Sequence, residues 1–340
     1  MTGPVKFPPR KGGGIDLHYD FNPRWYAPIT VEDALEILED NKNDPPTILA
    51  GGTDLNIRIR DSQVIPHSIL DITRIEGLDE ISHKEWNDII KLPGMKEIYD
   101  NFPEDHSFIV IGSAVTMDAI CRSVLLNSYL PSVVKAAGEI GSPLIRNAAT
   151  IGGNVMNASP AADMATMLLA VDTRAVLLSP GGARILPLND LFTGVCRTCA
   201  ESGELVAYFL LPPPTPYVGT GFYKLKRREA LSLAVVNSGA TLRSDGKRIT
   251  DGSLSTGAVA VTPLLIDGIR NILVSKSIDE AEGCFNEVAE LARDMSKPIT
   301  DVRGSKEYRK EMVKVSALRS LREAFVSLKR DIELNRTGVD

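Results

Sequence analysis

Ile48-Leu49-Ala50-Gly51-Gly52-Thr53-Asp54-Leu55, with its later counterpart Ala149-Thr150-Ile151-Gly152-Gly153-Asn154, decides how this 340-residue chain is read. In the first stretch Thr47, Ile48, Leu49 and Ala50 form a short apolar run, a buried strand that stops at the glycine pair. Paired glycines let a backbone turn tightly, and successive N–H groups can then face an anion such as a pyrophosphate. The same pair also suits an ordinary turn. In the second stretch the glycines sit beside hydroxyl and amide side chains. Ser159 and Pro160 follow, patterned as N-cap and first residue of a helix with Met164, Met167, Leu168 and Val171 on its apolar face. Asp163, in the first turn, suits either the helix dipole or hydrogen bonds from ribose hydroxyls. Two glycine-rich segments in one chain tip the balance towards a dinucleotide.

Outward from these stretches the chain divides into blocks. Residues 1–19, with Lys6, Arg10, Lys11 and three successive glycines, read as a flexible arm without the apolar segment of a signal peptide. Residues 20–82 form a small α+β unit. In it Thr30 and Asp33 open a helix bearing Val31, Ala34, Leu35 and Leu38, and 68–72 form another strand. Residues 83–105 are largely polar and read as a surface insertion, turning at Pro93-Gly94 and carrying a short helix around 95–99. Residues 106–214 form a second unit, with strands at 108–111, 175–178 and 205–211 and a helix capped by Thr116. Pro212, Pro213, Pro214 and Pro216 mark the clearest boundary. Beyond it, 215–330 read as a C-terminal α+β unit with strands at 233–242 and 253–260. Two helices carry Phe285, Val288, Ala289 and Ala292, then Leu318, Leu321, Phe325 and Leu328. Residues 331–340 read as a tail.

Composition excludes several classes. Charged residues are 24% and hydrophobic ones 43%, a globular mixture. A net charge of −6, from 38 basic and 44 acidic residues, argues against a dedicated nucleic-acid binder. The most apolar stretch, 164–178, is broken by Asp172 and Arg174, so no membrane span is expected. Four scattered cysteines favour a reducing compartment, and the expected location is cytoplasmic. Cys196 and Cys199 form one CxxC pair, too few ligands for a zinc or iron–sulfur site, and the four histidines lack ligand spacing. No metal site is therefore expected. Gly219-Thr220-Gly221 starts like a Rossmann fingerprint, but Lys224 stands where the third glycine belongs, and no Walker A sequence occurs. Lys224, Lys226, Arg227 and Arg228 suit a solvated face, or one lysine reaching a flavin or phosphate.

Together these segments resemble the FAD-binding (medium) subunit of the molybdenum hydroxylases, the family of xanthine dehydrogenase and carbon monoxide dehydrogenase. Besides the two glycine stretches, the resemblance rests on Ile140-Gly141-Ser142-Pro143 with Ile145-Arg146-Asn147, and on Ala158-Ser159-Pro160 with Asp163. It continues in Gly203-Glu204-Leu205, Phe222-Tyr223-Lys224 with Arg227-Arg228, and Gly257-Ala258-Val259-Ala260 before Thr262-Pro263. The resemblance implies an α+β chain: two subdomains (20–82 and 106–214) clasping FAD, then a C-terminal α+β domain. It places Leu49, Ala50, Gly51, Gly52, Thr53, Asp54, Leu55 and Asn56 around the pyrophosphate, with Thr150, Gly153 and Asn154 continuing the cradle. Asp163 would hold the adenosine ribose. Ile140 would lie near the isoalloxazine ring, and Leu211 and Lys224 would line the cofactor site.

Two departures stand out. The 83–105 insertion is longer than the family's usual connection, yet it lacks the four cysteines that carry an extra [4Fe–4S] cluster in 4-hydroxybenzoyl-CoA reductases. The CxxC pair has no counterpart.

The resemblance implies an electron-transfer subunit with no catalytic acid, base or nucleophile of its own. A partner with a molybdenum cofactor would oxidise the substrate, and a [2Fe–2S] subunit would pass electrons to FAD. NAD, a quinone or another acceptor would then take them. The rivals are a stand-alone flavin oxidoreductase, the flavin subunit of a 4-hydroxybenzoyl-CoA reductase-like enzyme without the extra cluster, and a scaffold that has lost FAD.

Overall fold

The computed structural model describes residues 22–95, 102–103, 105–229 and 232–337. The arm expected over 1–19 lies outside them, as does nearly all of the helix expected around 95–99.

The first unit is a parallel three-stranded sheet of β1 (Arg24–Tyr26), β2 (Thr47–Leu49) and β3 (Ser68–Asp71), in the order β1-β3-β2. Parallel strands of one sheet need crossover connections, and helix Val31–Asp40 supplies the one from β1 to β2, which lie on either side of β3. The Thr30 hydroxyl accepts the Asp33 N–H at 3.1 Å, the expected cap. Val31, Ala34, Leu35 and Leu38 share one core with Leu70 and Ile72.

The second unit is an antiparallel five-stranded sheet, in the order β4-β5-β10-β6-β7. Its strands are β4 (Ile81–Glu85), β5 (Ser107–Gly112), β6 (Arg174–Ser179), β7 (Gly182–Pro187) and β10 (Leu205–Leu211). A separate hairpin joins β8 (Phe192–Gly194) to β9 (Arg197–Thr198). Central β10 is buried throughout because both faces are covered. Tyr208 and Leu210 enter the core of the first unit, while Phe209 and Leu211 enter a helical core with Met164 and Met167.

This sheet corrects the reading of 83–105 as a polar surface insertion. Residues 81–85 pair with 107–111 as an edge strand, and helix Trp86–Ile89 follows directly. Trp86, Ile89 and Met95 are buried in the first core, and Trp86 meets Phe102 edge-on at 4.8 Å between centroids. The strand Ile-Ser-His-Lys-Glu escaped notice because an edge with half-exposed faces needs no apolar alternation.

The C-terminal unit is a four-stranded antiparallel sheet of β11 (Val218–Leu225), β12 (Val236–Ser244), β13 (Ile249–Gly257) and β14 (Leu264–Leu265). Helices Phe285–Met295 and Lys306–Thr337 contribute to its core on one side. β11 explains Gly219-Thr220-Gly221 as packing: a Cβ on Gly219 or Gly221 would stand 2.0 Å from the carbonyl oxygen of Ala324 or Ser320. The long helix can lie on the strand only without those side chains. That helix runs on through 331–337, so a tail beginning at 331 is corrected. Ile332 is buried, and Asp331 accepts the N–H groups of Tyr217 and Val218 at 2.5 and 3.2 Å.

A second correction concerns Ser159 and Pro160. The helix begins at Asp163 with Ala162 as N-cap. The Ser159 hydroxyl instead accepts the Ala161 N–H at 3.3 Å, closing a local turn that competes with the helix. The two-subdomain α+β architecture with a C-terminal α+β domain is as expected.

Candidate functional site

The first glycine pair joins β2 to helix Leu55–Arg60. Gly52 has φ of +68°, in the left-handed region that favours glycine, and its carbonyl accepts the Asn56 N–H at 2.9 Å. Among the described residues, the N–H groups of Gly51, Gly52, Thr53 and Asp54 meet no acceptor. Asp54 makes no cap bond with its side chain. Desolvation pushes its carboxyl above the usual aspartate range, with the nearby Arg58 charge acting the other way. Four successive free donors on a glycine turn form the kind of concavity that holds an anion.

The second pair is built differently. It does not lie in a loop but opens the short helix Ile151–Met156. The Thr150 hydroxyl caps it by accepting the Gly153 N–H at 3.1 Å. The N–H groups of Ile151, Gly152 and Asn154 donate to the carbonyls of Val115, Ser113 and Thr150. A Cβ on Gly152 would stand 2.6 Å from the Ser113 carbonyl oxygen, so this glycine serves close packing. What remains available is the side chain of Asn154, whose oxygen is buried without a partner.

The two segments meet. A Cβ on Gly51 would fall 1.7 Å from the carbonyl oxygen of Ala148, the last residue of helix Pro143–Ala148. Near the other end of that helix lie Glu139 and Ile140, which is partly buried against the helical core. Arg146 donates to the carbonyls of Gly138 and Ile140 at 3.1 and 3.2 Å and pins this turn. Six residues at 1.5 Å rise make the helix about 9 Å long. It therefore separates the donor-rich turn from the Glu139 end.

At that end stands a buried ion pair. Lys224 Nζ on β11 donates to Asp163 Oδ2 at 2.6 Å and to the Glu139 carbonyl at 2.9 Å. The two side chains are only 3% and 8% exposed. Asn237 on β12 donates to Asp163 Oδ1 at 2.6 Å. Burial pushes the Asp163 carboxyl above its ordinary range, opposed by the charge and hydrogen bond of Lys224 and by Asn237. Both Asp163 oxygens thus already have partners within the chain. Leu211 is fully buried at the end of β10, opposite Ile109.

Glu139 and Asn237 carry no sequence signal of their own, and Arg146 stands out only within Ile145-Arg146-Asn147. Main-chain contacts and lone amides leave no periodic signal. Cys196 and Cys199 flank β9 as free thiols, the first exposed, the second partly buried. Among the described residues no three His, Cys, Asp or Glu side chains gather as metal ligands, and no helix is long and apolar enough to cross a membrane.

The fold is that of two α+β subdomains followed by a C-terminal α+β domain, with the glycine turn, Asn154 and the Lys224–Asp163 pair as its candidate site. The FAD-binding domain of molybdopterin dehydrogenases matches residues 19–89 and 85–214, and the C-terminal domain of the CO dehydrogenase flavoprotein matches 221–324. The chain belongs to this family, the FAD-binding medium subunits of the molybdenum hydroxylases, which are oxidoreductases.

Among its relatives, the nicotinate dehydrogenase FAD-subunit of Eubacterium barkeri is 30% identical over 295 residues, 85% of this chain and 91% of the relative. The xanthine dehydrogenase FAD-binding subunit of Escherichia coli O157:H7 is 28% identical over 310 residues, 91% and 98% of the two chains. A chain of the reconstituted CO dehydrogenase from Oligotropha carboxidovorans superposes with a TM-score of 0.78 at 27% identity, covering 90% of this chain and 98% of that one.

Proposed function

We propose that this chain is the electron-transfer subunit of a molybdenum-containing hydroxylase complex, working with a [2Fe–2S] subunit and a molybdenum-cofactor subunit. It passes electrons between the [2Fe–2S] subunit and an external acceptor such as NAD. The observation that carries this is the row of free N–H donors at Gly51, Gly52, Thr53 and Asp54, packed on Ala148. Such a row suits the pyrophosphate of FAD.

FAD, when bound, supplies the exchange between single electrons and electron pairs, and the protein supplies binding, orientation and tuning. Gly52 bends the backbone within the donor row, and Leu49, Ala50, Leu55 and Asn56 frame that turn. Thr150, Gly153 and Asn154 extend the cradle, with Asn154 offering its partnerless amide oxygen. Ile140 gives apolar contact for the ring system, with fully buried Leu211 in the core that Ile140 packs against. Lys224 offers an ammonium held in place by Asp163 and Glu139. With both Asp163 oxygens engaged, its role in this proposal is to anchor Lys224. The four described cysteines are free thiols, which accords with a cytoplasmic setting.

Acid denaturation tests the cofactor: free FAD should appear in the supernatant. A colourless native protein, or a flavin that stays with the precipitate, would refute non-covalent FAD. Pull-down from the native cell tests the complex and should recover two further polypeptides, one with [2Fe–2S] centres and one with a molybdenum cofactor. A chain recovered alone with full substrate turnover would favour a stand-alone oxidoreductase.

A further inference from the structure

The Lys224 ammonium has three N–H donors. Two are used, on Asp163 Oδ2 and the Glu139 carbonyl, and among the described residues the third meets no acceptor. The side chain is 3% exposed, so its two protein partners rather than bulk solvent fix the geometry of the ammonium. The third direction suits a ligand atom, and the other two partners set that direction.

Asp163 can orient the ammonium only if its own carboxylate plane is held, and Asn237 holds it. Asn237 is fully buried; its Nδ2 donates to Asp163 Oδ1 at 2.6 Å, and its Oδ1 accepts the Thr166 hydroxyl at 3.2 Å. Room for this amide comes from Gly257 on β13, where a Cβ would stand 2.1 Å from Asn237 Oδ1 and 2.3 Å from Thr166 Oγ1. The chain Gly257, Asn237, Asp163, Lys224 thus crosses from the C-terminal sheet to helix Asp163–Ala170 and back.

Resting on the FAD site proposed above, we infer that Asn237 is a positioning residue: by fixing Asp163 it aims the free N–H of Lys224 at the flavin ring, and so sets the relative affinity for reduced and oxidised flavin. Loss of the amide lets the carboxylate rotate and the ammonium wander, which alters the charge felt by the flavin more than it alters the fold.

The test uses the full chain reconstituted with FAD, reading the FAD dissociation constant, the flavin midpoint potential and the visible flavin spectrum. Asn237→Leu should change the ratio of affinities for reduced and oxidised flavin at least tenfold, read as about 30 mV for a two-electron couple. It should also shift the flavin bands. Should Asn237→Leu fail to fold, Asn237→Ala, which leaves room for a water, decides in its place by the same tenfold criterion. Ser255→Ala is the control. It removes the 2.5 Å bond from Ser255 Oγ to the Thr166 carbonyl at the same seam without touching Asp163, and should leave the potential unchanged.

An unchanged potential and spectrum in the Asn237 variant, while Lys224→Met shifts both, would overturn the inference and leave the FAD site standing. Equal shifts in Ser255→Ala and the Asn237 variant would also overturn it, in favour of a merely structural seam. If wild-type chain takes up no FAD, the site itself fails.

Discussion

Replacing Lys224 with Met leaves Asp163 as a buried carboxylate whose remaining partner is Asn237. The pair is 3% and 8% exposed, so solvent cannot take the place of the lost ammonium. Breaking such a pair from one side costs about 3–5 kcal/mol, whereas replacing both charges by neutral groups is often close to neutral. Unfolding entropy near 2.1 cal/mol/K per residue gives this 340-residue chain roughly 0.7 kcal/mol/K if it melts as one unit. Lys224→Met should therefore lower the melting temperature of FAD-free protein by about 4–7 °C. Asp163→Asn, which strands the ammonium instead, should do similar damage. The double variant keeps an acceptor for Asn237 and no charge, and should recover more than half of either loss. Differential scanning calorimetry on the FAD-free proteins checks this without contributions from cofactor binding. Single variants within 1 °C of wild type, or a double variant that melts at the sum of the two losses, would refute the assignment of a tightly coupled buried pair.

Three further outcomes follow from the same geometry. Gly52→Val forces a branched side chain into φ of +68° at a strain of about 1–3 kcal/mol; FAD occupancy by absorbance should fall sharply while far-ultraviolet circular dichroism is kept. Gly153→Val meets only the Thr150 hydroxyl, at 3.1 Å; it should melt close to wild type yet lose FAD affinity, and unchanged affinity would remove Gly153 from the cradle. Asp301 binds Arg303 at 2.6 Å and buried Arg309 at 3.2 Å, and hydrogen bonding to Arg303 holds its carboxyl below the ordinary range. Its stabilisation is present above the unfolded value of about 3.9 and lost as pH falls through the lower folded value. The gap in melting temperature between wild type and Asp301→Asn should hold at neutral pH and close on that acid limb.

Local rules served well where one segment decides its own structure. The Thr30 and Thr116 caps, the short strand ending at Leu49 and the apolar run of β10 all have signals within a few residues. They failed where a distant surface decides. β4 is a strand because β5 offers it an edge, and its own sequence carries no alternation. The sequence of β11 ruled out a Rossmann fingerprint at Gly219-Thr220-Gly221 but offered no reason for its glycines, which answer to a helix a hundred residues further on. The two glycine pairs illustrate the same limit within the site. They look equivalent as sequence, yet one leaves its N–H groups without an acceptor among the described residues and the other uses every N–H of its first turn internally. Thr150 accepts two of those N–H groups, and the carbonyls of Ser113 and Val115, on another segment, accept the other two.

The proline boundary at 212–216 separates sequence blocks, but it does not separate the site from the rest. Lys224 and Asn237 both lie beyond it, and Asp163 lies before it. A charge as buried as that of Lys224 can be kept only where its partners are fixed from several sides. Here the sides are helix Asp163–Ala170, the carbonyl of Glu139 and two strands of the C-terminal sheet. Gly257, on a third strand, shapes the space that Asn237 fills. The glycine turn at 51–54 depends on none of these strands. On the proposed reading, the cofactor site divides into a cradle made by the first two subdomains and a charged wall that Lys224 and Asn237 of the third build on Asp163 and Glu139. Affinity for the pyrophosphate belongs to the cradle. With Asn237 as the positioning residue inferred above, control over the charge state of the ring falls to the wall, so that the C-terminal domain would tune the flavin without altering the segments that hold it.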